Sequence, residues 1–193
     1  MNLVDRAKNI ILKPKAEWAV ISAEPHTVQD LYTSYVMILA AIGPIATFIG
    51  FSIFGVSLFG VSYHVPIAAG IAQMVVSYVL ALGSVYVLAL IIDALAPNFG
   101  GEKNFMQALK VSAFAPTAAW LAGIFSIIPV LAILGIVGLY SLYLLFTGLP
   151  LLMRTPEDKA VPYTVVVIIV AIVLFVVVGL LAGLVLPSRV RGF

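Results

Sequence analysis

Residues 162–186 read PYTVVVIIVAIVLFVVVGLLAGLVL, and this stretch decides the fold. It contains no Asp, Glu, Lys or Arg, and its apolar residues cover every side of a helix instead of forming one stripe. A helix needs about 20 such residues to cross the hydrocarbon core of a bilayer. The stretch therefore predicts a membrane-spanning helix.

Four more runs of this kind precede it. Together they predict five spans, at about residues 31–54, 66–95, 105–128, 129–153 and 162–186. Thr27-Val-Gln-Asp30 has the form of an N-terminal capping box before the first run. No series of alternating ten-residue strands, which would indicate a membrane barrel, is present. We predict an all-α polytopic bundle, with residues 27–187 as its membrane domain.

The composition of the chain agrees with this prediction. Of its 193 residues, 63% are hydrophobic and 9% are charged, whereas a soluble domain carries about 25% charged residues. The ten Lys and Arg residues are too few and too scattered for a nucleic-acid surface. Cysteine is absent, which excludes disulfides, thiolate metal sites and cysteine nucleophiles.

Residues 1–26 are predicted to be an amphipathic segment at the membrane interface. Leu3, Val4, Ala7, Ile10 and Ile11 share one helical face, and Asp5, Arg6, Lys8, Asn9 and Lys13 share the other. Pro14 either breaks this helix or begins a second turn, and Trp18 suits an anchor among the lipid headgroups. The apolar face fits lipid and the protein's own helices equally well.

Basic residues are distributed unequally over the predicted loops. Eight lie on one side: Arg6, Lys8, Lys13, Lys15, Lys103, Lys110, Arg154 and Lys159. The other two, Arg189 and Arg191, lie in the tail at residues 188–193. The positive-inside rule then predicts a cytoplasmic N-terminus and an external C-terminus. A protein partner is expected at the cytoplasmic face, which carries most of the charge.

Two charged residues are predicted close to the membrane. Asp93 lies near the inner end of the second span and Lys110 near the inner start of the third. They could form a polar site or proton relay, because charges inside a membrane are costly. The interpretation we favour is an ion pair at the headgroup boundary, because both residues lie within a few positions of a loop.

Prolines and glycines inside the spans suggest further features. Pro44 and Pro116 predict kinks, and transporters often build substrate sites from broken helices. Gln73 and scattered Ser and Thr residues favour hydrogen bonds between helices over a substrate pathway. Gly179-Leu-Leu-Ala-Gly183 is a GxxxG motif that could pack against a helix of this chain or of another copy.

No motif for catalysis, cofactor binding or metal binding is found. HExxH, Walker and dinucleotide-binding patterns are absent. The only two histidines, His26 and His64, are predicted on opposite sides of the membrane, so they cannot share a metal. The sequence therefore predicts a protein without enzymatic activity and without a cofactor.

Four stretches resemble a known family. They are Pro14-Lys-Ala-Glu-Trp18 with Ile21 and Glu24, Asp30-Leu-Tyr32, Ala108-Leu-Lys-Val-Ser-Ala-Phe-Ala-Pro116 with Trp120 and Gly123, and Tyr140-Ser-Leu-Tyr-Leu-Leu-Phe-Thr-Gly148. Their order and spacing are similar to those of the Yip-domain family, membrane proteins named for their interaction with Ypt/Rab GTPases. The short N-terminal segment resembles the prokaryotic branch.

The resemblance implies five spans, a cytoplasmic N-terminus and no catalytic activity. Our main hypothesis is a non-enzymatic interaction or membrane-organising protein of the cytoplasmic (inner) membrane, with lipids as neighbours and a homo-oligomer as one arrangement. Asp30, Tyr32, Asp93 and Lys110 are its candidate interaction residues. The alternative is a small transporter or channel with a polar site near the kinked spans one to three. The residues that suggest it are Pro44, Pro116, Gln73 and Asp93.

Overall fold

The computed structural model describes residues 2–58 and 61–184, most of which are helical. Two short helices, α1 (Leu3–Leu12) and α2 (Pro14–Ala23), come first. Five helices long and apolar enough to cross a membrane follow: α3 (Val28–Phe54), α4 (Ile67–Phe99), α5 (Phe105–Ile127), α6 (Pro129–Leu152) and α7 (Glu157–Gly183). The predicted all-α fold with five spans is confirmed. The predicted tail at 188–193 lies outside the described residues.

Local sequence signals explain where the first helices begin. The side chain of Asn2 accepts a hydrogen bond from the Val4 amide at 3.0 Å, and Pro14 occupies the first turn of α2. The Thr27 hydroxyl accepts from the Asp30 amide at 3.1 Å, as the capping box predicts. The last helix, α7, begins at Glu157 and not at residue 162, because acidic residues favour a helix N-terminus.

The prolines inside α3 and α5 lie at interruptions of the helical hydrogen bonding. In α3, one α-helical segment ends at Ala40 and the next begins at Ile42, just before Pro44. In α5 the segments are Phe105–Phe114 and Thr117–Ala122, on either side of Pro116. Proline has no amide hydrogen to donate to the carbonyl four residues earlier, which weakens the helix there.

Helix α3 also contains two π-helical segments, Tyr32–Val36 and Ile49–Phe54. Nothing in the sequence pattern predicts them. Such segments are rare, and they often lie at functional sites. The first of them follows the short α-helical turn Val28–Leu31 that Thr27 caps.

A two-stranded antiparallel hairpin joins α3 to α4, between the first two predicted spans. Its strands are β1 (Val56–Leu58) and β2 (Val61–Tyr63), and Val56 pairs with Tyr63. Gly55 leads into it with a φ of 74°, a conformation that glycine adopts at little cost. The Val65 amide donates to the Phe51 carbonyl at 3.0 Å, which ties the hairpin to the end of α3.

Helix α5 is the central helix of the bundle. In its most apolar 18-residue window 61% of the residues are buried, against 11% in α6 and in α7. Small buried residues on this helix let its neighbours approach closely. These residues are Ala108, Ala113, Ala115, Ala118 and Ala122.

The turn between α5 and α6 is tight, as the sequence predicts, but its geometry differs from the prediction. Gly123–Ile127 and Pro129–Leu139 are 3₁₀-helical, although such runs rarely exceed three or four residues. The backbones are crowded in this region, since a Cβ added at Gly138 would lie 3.0 Å from the Ala119 Cα. These parts of the predicted third and fourth spans are helical, but with 3₁₀ geometry in place of α.

Five crossings give the bundle two different ends. The arm end carries the N-terminal arm (residues 2–26) together with the α4–α5 and α6–α7 loops. These loops meet where the Glu102 amide donates to the Met153 carbonyl at 2.8 Å and Arg154 donates to the Glu102 carboxylate at 3.0 Å. The hairpin end carries β1, β2 and the α5–α6 turn. Charge is concentrated at the arm end.

Candidate functional site

The N-terminal arm packs against the bundle. Ile10, Trp18 and Ile21 are fully buried, and the Tyr140 hydroxyl of α6 donates to the Ile11 carbonyl at 3.0 Å. The sequence left lipid and protein open as partners for the apolar face of the arm. The structure pairs most of that face with α5 and α6.

Trp18 determines the position of α2. Its indole lies edge-on to the ring of Phe114 in α5, with centroids 6.5 Å apart. A Cβ at Gly148 in α6 would overlap the same indole, so glycine leaves the space that the ring occupies. The prediction that Trp18 anchors the arm among lipid headgroups is wrong, because the indole is enclosed between these two helices.

The sequence pattern puts Arg6 on the polar face of the arm, and this prediction of an exposed side chain is also wrong. Only 4% of this residue is exposed, and its guanidinium pairs with the carboxylates of Glu17 and Glu24. The same group lies 5.9 Å from the centroid of Phe114, within reach of a cation–π contact. A buried charge has to be paired, and the arm supplies both counterions itself.

Glu24 connects this buried pair to the surface. Its hydrogen bond with Arg6 holds the pKa of Glu24 below its usual value, although partial burial acts in the opposite direction. His26 adds a smaller lowering of this pKa. The two ring nitrogens of His26 lie 3.2 Å from the Glu24 carboxylate and 3.0 Å from the Asp30 carboxylate. His26 therefore links the arm to the first turn of α3.

Lys110 holds the end of the arm onto α5. Its ammonium donates to the Ser22 carbonyl at 3.2 Å and to the Glu24 carbonyl at 2.7 Å. Gln107, one turn earlier, donates to the same Ser22 carbonyl at 3.0 Å. The favoured interpretation of Lys110 as an ion-pair partner of Asp93 is wrong, because the ammonium is directed to the arm.

A cleft of about 350 Å³ opens at this junction. We call it the arm cleft, and its lining residues are Glu24, Pro25, His26, Asp30, Leu31, Ser34 and Phe114. The carboxylates of Glu24 and Asp30 are its accessible charges, with side chains 34% and 54% exposed. The cations Arg6 and Lys110 are buried. A cleft that presents two partly exposed carboxylates suits a basic or amine-bearing group.

Phe114 lies at the centre of these contacts, just before the interruption at Pro116. Its ring is 4.6 Å from that of Tyr35 and 6.3 Å from that of His26, centroid to centroid. The Tyr35 hydroxyl is 2.7 Å from the Thr117 hydroxyl, so α3 and α5 are also joined by a buried polar contact. The arm, α3 and α5 thus share one aromatic cluster.

The structure brings together only two of the four candidate interaction residues. Asp30 and Lys110 are connected through Glu24 and His26 at the arm cleft. Tyr32 points elsewhere, because its hydroxyl donates to the Leu82 carbonyl of α4 at 3.0 Å.

Asp93 lies apart from this group, in the last turns of α4. It is buried, and one of its carboxylate oxygens has no hydrogen-bond partner. The neighbouring Ile92 carbonyl accepts from the Tyr163 hydroxyl at 2.6 Å, which joins α4 to α7.

The two histidines lie at opposite ends of the bundle. His26 is at the arm end and His64 follows the hairpin at the other end. In residues 2–58 and 61–184, no group of three or more His, Asp or Glu is placed to hold a metal ion.

Nothing lies within 4 Å of a Cβ added at Gly179 or Gly183, so no described part of this chain packs closely on the GxxxG motif.

Sequence reasoning missed Arg6, Glu17, His26 and Phe114 as parts of one site. The available signal was the set of four stretches that carry the family resemblance. The first stretch contains Trp18 and Glu24, and the second contains Asp30. The third contains Lys110 and Phe114, and the fourth contains Tyr140 and Gly148. All four meet at the arm, although nothing in their spacing predicts it.

Comparison with known proteins gives one match. The family model described as the Yip1 domain matches residues 8–178, which include most of the arm and nearly all of the five spans. No curated protein sequence and no solved structure matches the chain.

Proposed function

From the premise that this chain belongs to the Yip1 domain family, we propose that it is a non-enzymatic interaction protein whose arm cleft binds a basic segment of a partner protein. Family membership and five apolar helices make it a multi-pass membrane protein.

The observation that carries the proposal is the separation of charge at the arm cleft. Arg6 is buried within the arm and Lys110 is buried beneath it, and both fix the position of the arm, whereas the Glu24 and Asp30 carboxylates line the open cleft. Complementary charge steers a partner to such a surface and selects among partners. The Phe114 ring closes the base of the cleft, but it is fully buried and already faces the Arg6 guanidinium, so the two carboxylates provide the recognition.

We propose that the protein lies in the cytoplasmic membrane, with its arm end on the cytoplasmic side. Eight of the ten basic residues belong to that end or to the turns next to it. A partner would then approach from the cytoplasm. The open GxxxG face of α7 leaves room for membrane lipid or for a second copy of the chain.

Photo-crosslinking in intact membranes tests the proposal. A benzoylphenylalanine at position 34, on the rim of the arm cleft, should form a crosslink to one protein, at a segment that contains Lys or Arg. Asp30→Lys should abolish the crosslink, and exchanging the partner's basic residue for Glu should restore it. Asp158→Lys, which reverses an exposed charge at the same end, should leave it unchanged.

Three outcomes would overturn the proposal. They are crosslinks to lipid alone, a protein crosslink that survives Asp30→Lys, and full tolerance of charge removal at both Asp30 and Lys110. Variants at Tyr32 and Asp93 extend the test to the other two candidate residues, which lie outside the cleft.

A small transporter remains the second hypothesis. Pro44 and Gln73, two of the residues that suggest it, line one crevice between α3 and α4. Solute flux into proteoliposomes that depends on Gln73 would support transport, and flux equal to that of empty liposomes would count against it.

A further inference from the structure

A second cavity lies at the opposite end of the bundle from the arm cleft. We call it the hairpin crevice. It has a volume of about 160 Å³ and is lined by Pro44, Thr47, Phe48, Phe51, Ser52, Val65, Gly70, Gln73, Met74 and Ser77. A single water needs only about 10–15 Å³ of such space. The crevice is therefore large enough for part of an organic ligand.

Its polar groups are uncharged and incompletely satisfied. Only 8% of Ser52 is exposed, and its hydroxyl has no hydrogen-bond partner in the protein. A Cβ at Gly70 would overlap this hydroxyl, so the glycine leaves the room that the Ser52 side chain occupies at the wall of the crevice. The amide of Gln73 and the hydroxyl of Ser77 lie on the same wall. A hydroxyl buried without a partner points to a ligand that supplies one.

The position of the hairpin crevice favours lipid over a transported solute. All ten of its lining residues belong to α3, α4 or the connection between them. It therefore lies on the flank of the bundle, whereas a pathway through the bundle would also be lined by the central helix α5. The residues next to it in sequence are exposed and apolar, with Ile45 46%, Ile71 44% and Val75 50% exposed.

The depth of the crevice matches the upper part of a lipid molecule. Gly70 lies one turn into α4, and Ser77 lies ten residues after Ile67, about 15 Å along the helix axis. The hydrocarbon core is about 30 Å thick. The polar wall thus runs from the interface toward the middle of the membrane, while Phe48, Phe51 and Met74 provide apolar surface for acyl chains.

We propose that the hairpin crevice binds a neutral glycerolipid, whose hydroxyl or ester oxygens bond to Ser52, Gln73 and Ser77. No charged side chain lines the crevice within the described ranges, so an anionic headgroup would find no counterion there. The proposal is independent of the arm cleft and of any protein partner.

The test uses the full chain in phosphatidylcholine nanodiscs with a photoactivatable diacylglycerol, followed by mass spectrometry of the labelled peptides. Labels should concentrate on α3 and α4 at the crevice and should be displaced by unlabelled diacylglycerol. The double variant Ser52→Ala, Gln73→Leu should reduce this labelling about fivefold or more, because it removes two hydrogen bonds.

The matched control is Ser84→Ala. Ser84 lies on the same helix outside the crevice, and its hydroxyl donates to the Ala81 carbonyl at 2.8 Å. This variant should label like the wild type. Competition on the wild-type protein keeps the test decisive even if the double variant does not fold.

Two results would overturn the proposal. One is labelling spread evenly over the lipid-exposed surface, including α7, without displacement by competitor. The other is stronger labelling of the crevice by a photoactivatable phosphatidic acid than by diacylglycerol, which would show that charge and not neutral hydrogen bonding governs binding.

Discussion

Arg6 shows how much one residue can decide in a protein with so few charges. It lies on α1, yet its partners Glu17 and Glu24 lie on and after α2, so one guanidinium closes the arm on itself. The exposed pair of Arg154 and Glu102 has similar chemistry, but both of its side chains are more than 60% exposed. Burial, and not the type of ion pair, separates their expected contributions to stability.

Arg6→Met is expected to lower the free energy of unfolding by about 3 kcal/mol or more, because it leaves the buried Glu17 carboxylate without the counterion that Arg6 supplies. Arg154→Met should change it by less than about 1 kcal/mol, because water screens an exposed pair. Thermal unfolding of both variants in the same detergent measures the difference. Equal effects would show that the Arg6 cluster adds no more than a surface ion pair.

Glu24 should make the stability of the arm depend on pH. Its pKa is lowered in the folded state, so its contribution to stability is complete above the usual glutamate pKa of about 4.3 and is lost as the pH falls through the folded-state pKa. The stability difference between wild type and Glu24→Gln should therefore shrink on acidification. Thermal unfolding from neutral to acidic pH measures it, with the exposed Glu102→Gln as a control that shows little difference at any pH.

At the scale of elements, the arm is part of the bundle. The stretches around Trp18, Lys110 and Gly148 come from α2, α5 and α6, and each supplies a side of the same contact. Helix α5 joins them because its Phe114 meets the arm while its small residues pack against other spans. The arm cleft is therefore in direct contact with the central helix α5.

Gly148→Ala tests this packing. The added methyl would overlap the Trp18 indole, and overpacking of this kind costs about 1–3 kcal/mol of unfolding free energy. Thermal stability should fall, and protease sites in α1 and α2 should be cut faster.

Gly179→Ala is the matched control on α7, where a methyl meets no described atom within 4 Å. It should be neutral, or more stable by up to about 1 kcal/mol, because alanine favours the helix. A large loss at Gly179 instead would show that another copy of the chain packs on this helix.

At the scale of the whole molecule, the two ends differ in chemistry. The arm end carries the paired charges and the acidic arm cleft, while the hairpin end carries an uncharged crevice. Between them the surface is apolar, with Val130 81%, Ile133 78% and Phe175 78% exposed. Such a surface is stable only in lipid, where five helices satisfy their own backbone hydrogen bonds.

Single cysteines can determine the orientation, because the chain has none of its own. We expect His64→Cys to react with a membrane-impermeant maleimide added outside intact cells, because it lies exposed at the hairpin end. Glu102→Cys, exposed at the arm end, should react only after the membrane is permeabilised. Labelling of both from outside would contradict a crossing of the membrane by α4, the one span between the two positions in the described structure.

The number of spans, their approximate bounds and the uneven distribution of charge could all be predicted from the sequence. These follow from composition and helical period, which are local properties, and Thr27 and Pro14 mark helix starts by local chemistry. The burial of Trp18 and Arg6 became evident only from the way the helices pack. The same holds for Lys110, which bonds to the arm and not to Asp93, and for Ser52, which lines a crevice. Each of these depends on a residue distant in the chain, and an amphipathic pattern cannot tell whether its apolar face will meet lipid or another helix.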